Sequence, residues 1–477
     1  MNPWDLDVNL RLVILDFLYL SAFLMIGTAI RRYVKFFQKY LIPNNLIAGF
    51  LALLIGSQGF GLIDLHSDRL ILYVYHFLAL TFIALGLRQS KTTWTKGPVS
   101  KSIAALTSYL IQGSIGIIVA LVLVYTIKPD LFVGIGLLLP LGFGMGPGLA
   151  ATMGNSWDTE LVKLGYDAVG GGQIGLTFAT IGYLYAFFGG MMLIQWGIRH
   201  GKSKMITNLD SITDDMRRGV YKDGKPPIAG KLPLATEAVE PLAFQLSIIG
   251  LVYLLTWLLV SWLTSMMANS PQLVGFVGTV WSFHFVIGLL IALAVRKILD
   301  VSGRAYVIDK GLMNRSMGVF LDFLVIGAVA AISMEIVLHY WEAILIMSLL
   351  AGPATGLMLY WTSKRAFDDY HFERFIELWG EMTGTINSAL VLLRVTDPEF
   401  ETPVAEDAVY GSGITLFLGI PMLIALNVPI VMYKNAIEGY WATLGLLIGY
   451  MLLLWIVWRA VGFIKFGKPD LEKQKDS

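Results

Sequence analysis

Leu139-Pro140-Leu141-Gly142-Phe143-Gly144-Met145-Gly146-Pro147-Gly148-Leu149 is apolar enough to sit in a membrane and too rich in breakers to cross it as one helix. Glycine costs about 1 kcal/mol and proline about 3 kcal/mol inside a helix, and five of the seven positions 142–148 are one or the other. The spacing predicts a helix that enters, breaks at an irregular tip and returns. Irregular backbone at membrane depth is tolerated where protein buries it or where it lines a wet cavity, and its free N–H and C=O groups can then meet a solute. Amide groups at half-helix ends suit a carboxylate, and carbonyls suit Na⁺. The competing reading is that these glycines only let helices approach closely.

A second interrupted stretch, Leu378-Trp379-Gly380-Glu381-Met382-Thr383-Gly384-Thr385-Ile386-Asn387-Ser388, carries hydroxyls, an amide and one carboxylate. These are hard oxygen donors, fit for an alkali cation or for the polar end of a substrate. A carboxylate beside an anion site repels the anion unless a proton or a bound cation neutralises it. Glu381 is thus a candidate for Na⁺ or H⁺ coupling, with solvation at the cytoplasmic mouth or pairing with Arg374 or Arg394 as the plainer alternative.

The rest of the chain sets the frame for these two segments. Of 477 residues 56% are hydrophobic and 14% charged, with mean hydropathy +0.68, against about 45–50% and about 25% in soluble domains. That excludes a water-soluble globule. The 35 basic and 34 acidic residues argue against a nucleic-acid partner, and the absence of cysteine excludes disulfides, thiolate metal sites and a Cys nucleophile. The acidic start Met1-Asn-Pro-Trp-Asp-Leu-Asp7 lacks the basic region of a signal peptide, so the first helix is expected to be retained. Apolar runs predict crossings at 11–30, 44–63, 70–87, 103–127, 169–198, 243–267, 273–298, 316–338, 341–363, 411–432 and 439–460, with re-entrant hairpins at 131–153 and 376–393.

Lysine and arginine favour cytoplasmic loops. With both hairpins re-entrant, only Arg11, Arg69, Lys128, Lys163 and Lys434 fall outside. Were both to cross, the basic loops at 199–242, 296–315 and 364–374 would all move out. The expected fold is therefore an all-α polytopic membrane protein: a first repeat at 1–198, a cytoplasmic linker at 199–242, an inverted second repeat at 243–432, and an extra helix with a cytoplasmic tail at 433–477. The N-terminus lies outside and the C-terminus inside. Paired interrupted segments at matching places in inverted halves point to the binding site of a secondary transporter.

The residues expected to meet substrate are Gly142, Gly144, Met145, Gly146 and Gly148 in the first hairpin, and Gly380, Thr383, Gly384, Thr385, Asn387, Ser388 and Arg394 in the second. Glu381, Gln173, Thr177 and Asp322 are the candidates for cation coupling, with sodium held by Glu381 and hairpin carbonyls. Each has a plainer reading: Arg394 as a helix-end arginine on the cytoplasmic side, Asp322 as a helix-packing group, and Gln173, Thr177 and Thr180 as polar glue. Asp16 and His284 carry no functional expectation.

Three motifs resemble the sodium:glutamate symporter family of bacterial inner membranes, over roughly residues 12–432. Lys39-Tyr40-Leu41-Ile42-Pro43 leading to Ala48-Gly49 looks like that family's turn between its first two helices. The first hairpin followed by Ala179-Thr-Ile-Gly182 and Gly189-Gly190 is similar to its glycine-rich loop and the helix behind it, and Gly380, Gly384 and Ala389 fall on matching places. The chain departs from the family in lacking a His and a Thr in the first loop, in carrying Glu381 and Met382 in the second, and in its eleventh span. The resemblance implies two inverted five-span repeats, an elevator-like core holding both hairpins, a homodimeric scaffold in the inner membrane, and Na⁺-coupled uptake of glutamate. No cofactor beyond the coupling ion is implied, and the chain is expected not to be an enzyme. Rival readings are the same architecture carrying another di- or tricarboxylate or coupled to protons, a passive channel, and an intramembrane enzyme with a divalent metal at Asp368-Asp369.

Overall fold

A computed structural model of the chain describes residues 8–88, 95–205, 218, 230, 233, 237–269, 277–397 and 401–465. Most of the linker expected at 199–242, and the start of the crossing expected at 273–298, lie outside the described residues. The described chain is helical. The helices are α1 (Val8–Tyr33), α2 (Lys35–Lys39), α3 (Asn44–Ile55), α4 (Ser67–Arg88), α5 (Lys96–Thr126), α6 (Ile135–Phe143), α7 (Pro147–Lys163), α8 (Gly171–Leu184) and α9 (Gly190–Arg199). They continue with α10 (Pro241–Ala268), α11 (Val277–Ser282), α12 (His284–Val301), α13 (Lys310–Ala330), α14 (Met334–Ala366), α15 (His371–Met382), α16 (Ile386–Thr396), α17 (Val404–Val431) and α18 (Ile437–Ala460). A π-helical turn, Tyr185–Gly189, joins α8 to α9.

Among the described residues nine helical segments are long and apolar enough to cross a membrane, and this is a multi-span membrane protein. Eleven crossings were expected. The segment at 44–63 is a helix of only 12 residues, about 18 Å long, against a hydrocarbon core of about 30 Å. It ends where Gly56, Gly59 and Gly61 turn the chain, with φ +65° at Gly61. The described part of the segment at 273–298 is split at Phe283 into α11 and α12, and the last turns of α12 carry Arg296, Lys297 and Asp300. The crossings expected at 316–338 and 341–363 are shifted, because α13 stops at Ala330 and Ser333 caps α14, accepting from the Ile336 amide.

Two groups of helices share the work. The first packs α4 against α12 and α13, and α3 against α1 and α13, with α10 on α12. The second packs α5 against α14, α17 and α18, and holds both broken segments. Within it α5 and α14, of 31 and 33 residues, run antiparallel. Lys96 pairs with Asp368 at one end, and Lys128 Nζ lies 2.6 Å from Glu342 Oε2 at the other. Helices α6 and α7 return as one hairpin on the Lys128 side. Helices α15 and α16 return as another on the Lys96 side, so the two enter from opposite ends.

Both hairpins are longer than expected, 135–163 instead of 131–153 and 371–396 instead of 376–393. The added turns are anchored. Trp157 Nε1 donates to Asn427 Oδ1 on α17 at 2.9 Å, and Arg374 bridges Asp369 and Asp407 at 2.8 Å each. Backbone lies on backbone where Gly136 meets Gly116 of α5 and Gly154 meets Gly171 of α8, the close approach that small residues permit between membrane helices.

Candidate functional site

The irregular tips are shorter than the glycine count suggested: Gly144–Gly146 in the first hairpin and Thr383–Thr385 in the second. Gly142 and Gly148 remain helical. A Cβ at Gly142 would stand 2.6 Å from Gly175 O of α8, and one at Gly148 would stand 2.6 Å from Leu78 Cδ1 of α4. These two are close-packing glycines, as is Gly380, whose Cβ would lie 2.7 Å from Ala389 Cα in the returning arm. Gly146 differs. Its φ of +90° and ψ of 168° belong to a region used essentially by glycine alone.

The tips meet. A Cβ on Gly146 would stand 3.3 Å from Thr385 Cγ2. Gly182 of α8 lies against both, since its Cβ would stand 2.5 Å from Thr383 O and 3.1 Å from Phe143 O. Helix α5 supplies the polar wall. Tyr109 donates to Gly144 O at 3.3 Å, and Gln112 Nε2 donates to Met382 O and to Thr355 Oγ1 of α14, both at 3.0 Å. Gln112 Oε1 is buried without a hydrogen-bond partner. The Tyr183 side chain of α8 faces Thr385. Asn387 is exposed and Met145 and Thr385 are half-buried, so the joined tips border accessible space.

Helices α7 and α16 start at this junction, and neither has a side-chain cap at its N-terminus. The first amides of a helix have no partner within it, and the helix dipole puts partial positive charge there. Two such ends at one junction can bind an anion. Ser388 lies in the first turn of α16, buried, and a Cβ at Gly384 would stand 2.8 Å from its Oγ. Arg394, half-buried, is nine residues beyond Thr385, about 13 Å along the helix. It belongs to the hairpin base.

Glu381 is 6% exposed, and its partner is neither Arg374 nor Arg394 but Lys101 of α5. Lys101 Nζ lies 2.7 Å from Oε1 and 2.6 Å from Oε2 of Glu381, and donates to Ser412 Oγ of α17 at 2.7 Å. Sequence reading missed Lys101, which stands among small and polar residues at the mouth of a span. It also missed that Glu373, Glu377 and Glu381 recur every fourth residue, a spacing that puts all three on one face of α15.

The other residues expected to couple a cation lie on α8 and α13. Gln173 and Thr177 sit near the start of α8, and the Thr177 hydroxyl donates to Gln173 O in its own helix at 2.8 Å. Asp322 is on α13, accepting from Asn45 Nδ2 at 2.8 Å. Thr180 likewise bonds within α8, Asp16 holds Arg69 at 2.8 Å, and His284 stacks on Tyr75. Asp368 and Asp369 are each paired, with Lys96 and Arg374, and among the described residues no cluster of three or more His, Asp or Glu side chains could hold a metal ion. A pocket of about 360 Å³ lies away from the tips, at the base of the first hairpin, bordered by Asp130, Tyr166 and Asn435. Comparison with protein-family models, with curated proteins and with solved structures finds no match for this chain.

Proposed function

We propose that the chain is a secondary active transporter that carries glutamate or a similar small carboxylate across the bacterial inner membrane by alternating access. One observation carries the reading. Two broken hairpins entering from opposite ends meet tip to tip at Gly146 and Thr385, with two uncapped helix N-termini at the junction. Such a junction offers amides to a carboxylate from both sides and can be exposed to one side at a time. The order of elements supports it. A helix of 31 or 33 residues, a broken hairpin and a long helix follow one another in each half, with α5 and α14 antiparallel, as inverted repeats would place them.

Of the two ends, the one with Lys96, Arg199, Lys202, Lys364 and Arg365 is the cytoplasmic one in this reading. Sodium coupling and a homodimeric scaffold are what the family resemblance adds. The Lys101 ammonium, however, already sits where a bound cation would neutralise Glu381, which favours a second reading in which coupling does not use sodium at that carboxylate. Counterflow of labelled glutamate and of di- and tricarboxylates into vesicles bearing the purified protein tests the proposal. Saturable exchange is expected for at least one. Flux that is linear in concentration for every carboxylate would leave a channel or no transport at all.

A further inference from the structure

The acidic face of α15 holds more negative charge than its surroundings neutralise. Glu373, Glu377 and Glu381 span eight residues, about 12 Å from the hairpin base to just below its tip, and are 0%, 2% and 6% exposed. At the base Glu373 Oε1 accepts from Ser203 Oγ at 2.8 Å and from the Lys204 amide at 2.9 Å, while its Oε2 is buried without a hydrogen-bond partner. The top is held by Lys101, on both oxygens of Glu381, with Ser412 Oγ 3.0 Å from Oε1. Glu377, between them, lies against Glu381. Its Oε1 is buried without a hydrogen-bond partner, and no cation pairs with it among the described residues.

One ammonium cannot balance two buried carboxylates, and an uncompensated charge away from water costs several kcal/mol. The missing positive charge can be a metal cation or a proton. Lys101 Nζ already occupies the place of a cation beside Glu381, 2.6 Å from Oε2 and 2.7 Å from Oε1 and from Ser412 Oγ, although Oε2, like Glu377 Oε1, has no hydrogen-bond partner. A proton needs only one oxygen, and Glu377 Oε1 has no other claim on it. The other charged and titratable groups around this face are Tyr109 from α5, Arg374 on α15 itself with Asp407 of α17 behind it, Tyr360 of α14 against Phe375, and Tyr185 beneath Trp379. Of these only Arg374 is a cation; it acts on Glu377 through space, and its guanidinium is itself paired with Asp369 and Asp407 at 2.8 Å.

We propose that Glu377, in contact with the Lys101–Glu381 pair, is a proton-binding site, that Glu373 connects it to the hairpin base, and that the ion coupled to transport is a proton. The step is binding alone: a proton joins a Glu377 carboxylate oxygen, the trio of Lys101, Glu377 and Glu381 passes from net −1 to neutral, and no bond is broken. Only the word "coupled" rests on the transporter reading, and the test separates the two.

Infrared spectroscopy of the purified protein in lipid vesicles reads protonated carboxyl groups directly, whatever the substrate. At neutral pH the wild type should show a carboxylic-acid C=O band that moves in D₂O and is lost in Glu377→Gln. Lys101→Gln, which leaves both carboxylates without an ammonium, should enlarge the band about two-fold as a second proton replaces the lost charge. No such band in the wild type, or a band unchanged in both variants, overturns the site. With labelled glutamate as the probe in sodium-free buffer, an inward proton gradient should drive accumulation that Glu377→Gln abolishes while exchange persists. Accumulation that requires sodium and ignores the proton gradient overturns the coupling. Absence of any carboxylate flux beside an intact infrared band would sink the transporter reading and leave the proton site standing.

Discussion

Replacing Lys101 with methionine removes one charge from a site buried away from solvent. The ammonium is buried, 1% exposed, and touches both oxygens of Glu381 and the hydroxyl of Ser412. Methionine keeps most of the stem's length and flexibility, so the loss is electrostatic rather than a cavity. Removing one member of a buried pair typically costs about 3–5 kcal/mol, because the remaining charge is stranded. That is roughly two to four decades in the folded-to-unfolded ratio. Converting both members, Lys101→Met with Glu381→Met, leaves no stranded charge on the pair and should recover most of the loss, since apolar replacement of a buried pair is often neutral. The assay is denaturant unfolding in mixed micelles followed by tryptophan fluorescence, with 13 tryptophans to report it. As a scale, Lys163→Met breaks a pair whose lysine is 54% exposed, and such pairs contribute about 0.2–1 kcal/mol. A Lys101→Met loss no larger than that of Lys163→Met, or a double variant no more stable than the single, would refute the buried-pair account.

Gly146→Ala should cost about 1–3 kcal/mol, because the backbone there sits where an L-residue is strained, and should abolish carboxylate counterflow. Pairing it with Thr385→Ser, which removes the methyl facing the new Cβ, should not restore stability, and full recovery would show that crowding rather than φ dominates. Thr159→Cys and Lys202→Cys are both exposed, in a chain without native cysteine, and an impermeant maleimide should reach the first only from outside and the second only after the membrane is opened. The same sidedness for both would undo the topology. Lys96 holds the Asp368 carboxyl below its usual value near 3.8 through a hydrogen bond. The stability this adds is therefore complete above the unfolded value and fades as pH falls through the lower folded one. Because Asp368 is largely exposed, Asp368→Asn should cost less than about 1 kcal/mol at neutral pH, and the variant's acid-unfolding curve should converge with the wild type's at low pH. A gap that widens on acidification would contradict the sign.

The two interrupted segments were legible because glycine and proline break helices by local sterics, which sequence records directly. Their length was not, since the turns around Trp157 and Arg374 are fixed by Asn427 and Asp407, far away in the chain. Hydropathy summed over 44–63 counted apolar residues and passed over Gly56, Gly59 and Gly61, the signal that could have ended that helix early. Tip contact between Gly146 and Thr385 followed from the idea of opposed hairpins, whereas the pairing of Lys101 with Glu381 did not. A lysine at the head of a span obeys the positive-inside pattern equally well when solvated, and nothing local says that its partner lies 280 positions on. The three glutamates of α15 were within reach of sequence reading, as a four-residue spacing needs no structure to see.

Helix α18 packs on α5 and α17, with Trp455 Nε1 donating to Thr107 Oγ1 at 3.0 Å and Trp458 Nε1 to Ser100 Oγ at 3.2 Å. Helix α1 packs on α3 and α13 instead. The first and last long helices of the described chain thus belong to different groups, one to the framework and the other to the bundle that holds both tips. A pair of fluorophores, one on each of these helices, would act as a ruler between the two groups without touching the binding junction. Any sliding of the bundle in the proposed transport cycle would register as a change in energy transfer in single molecules.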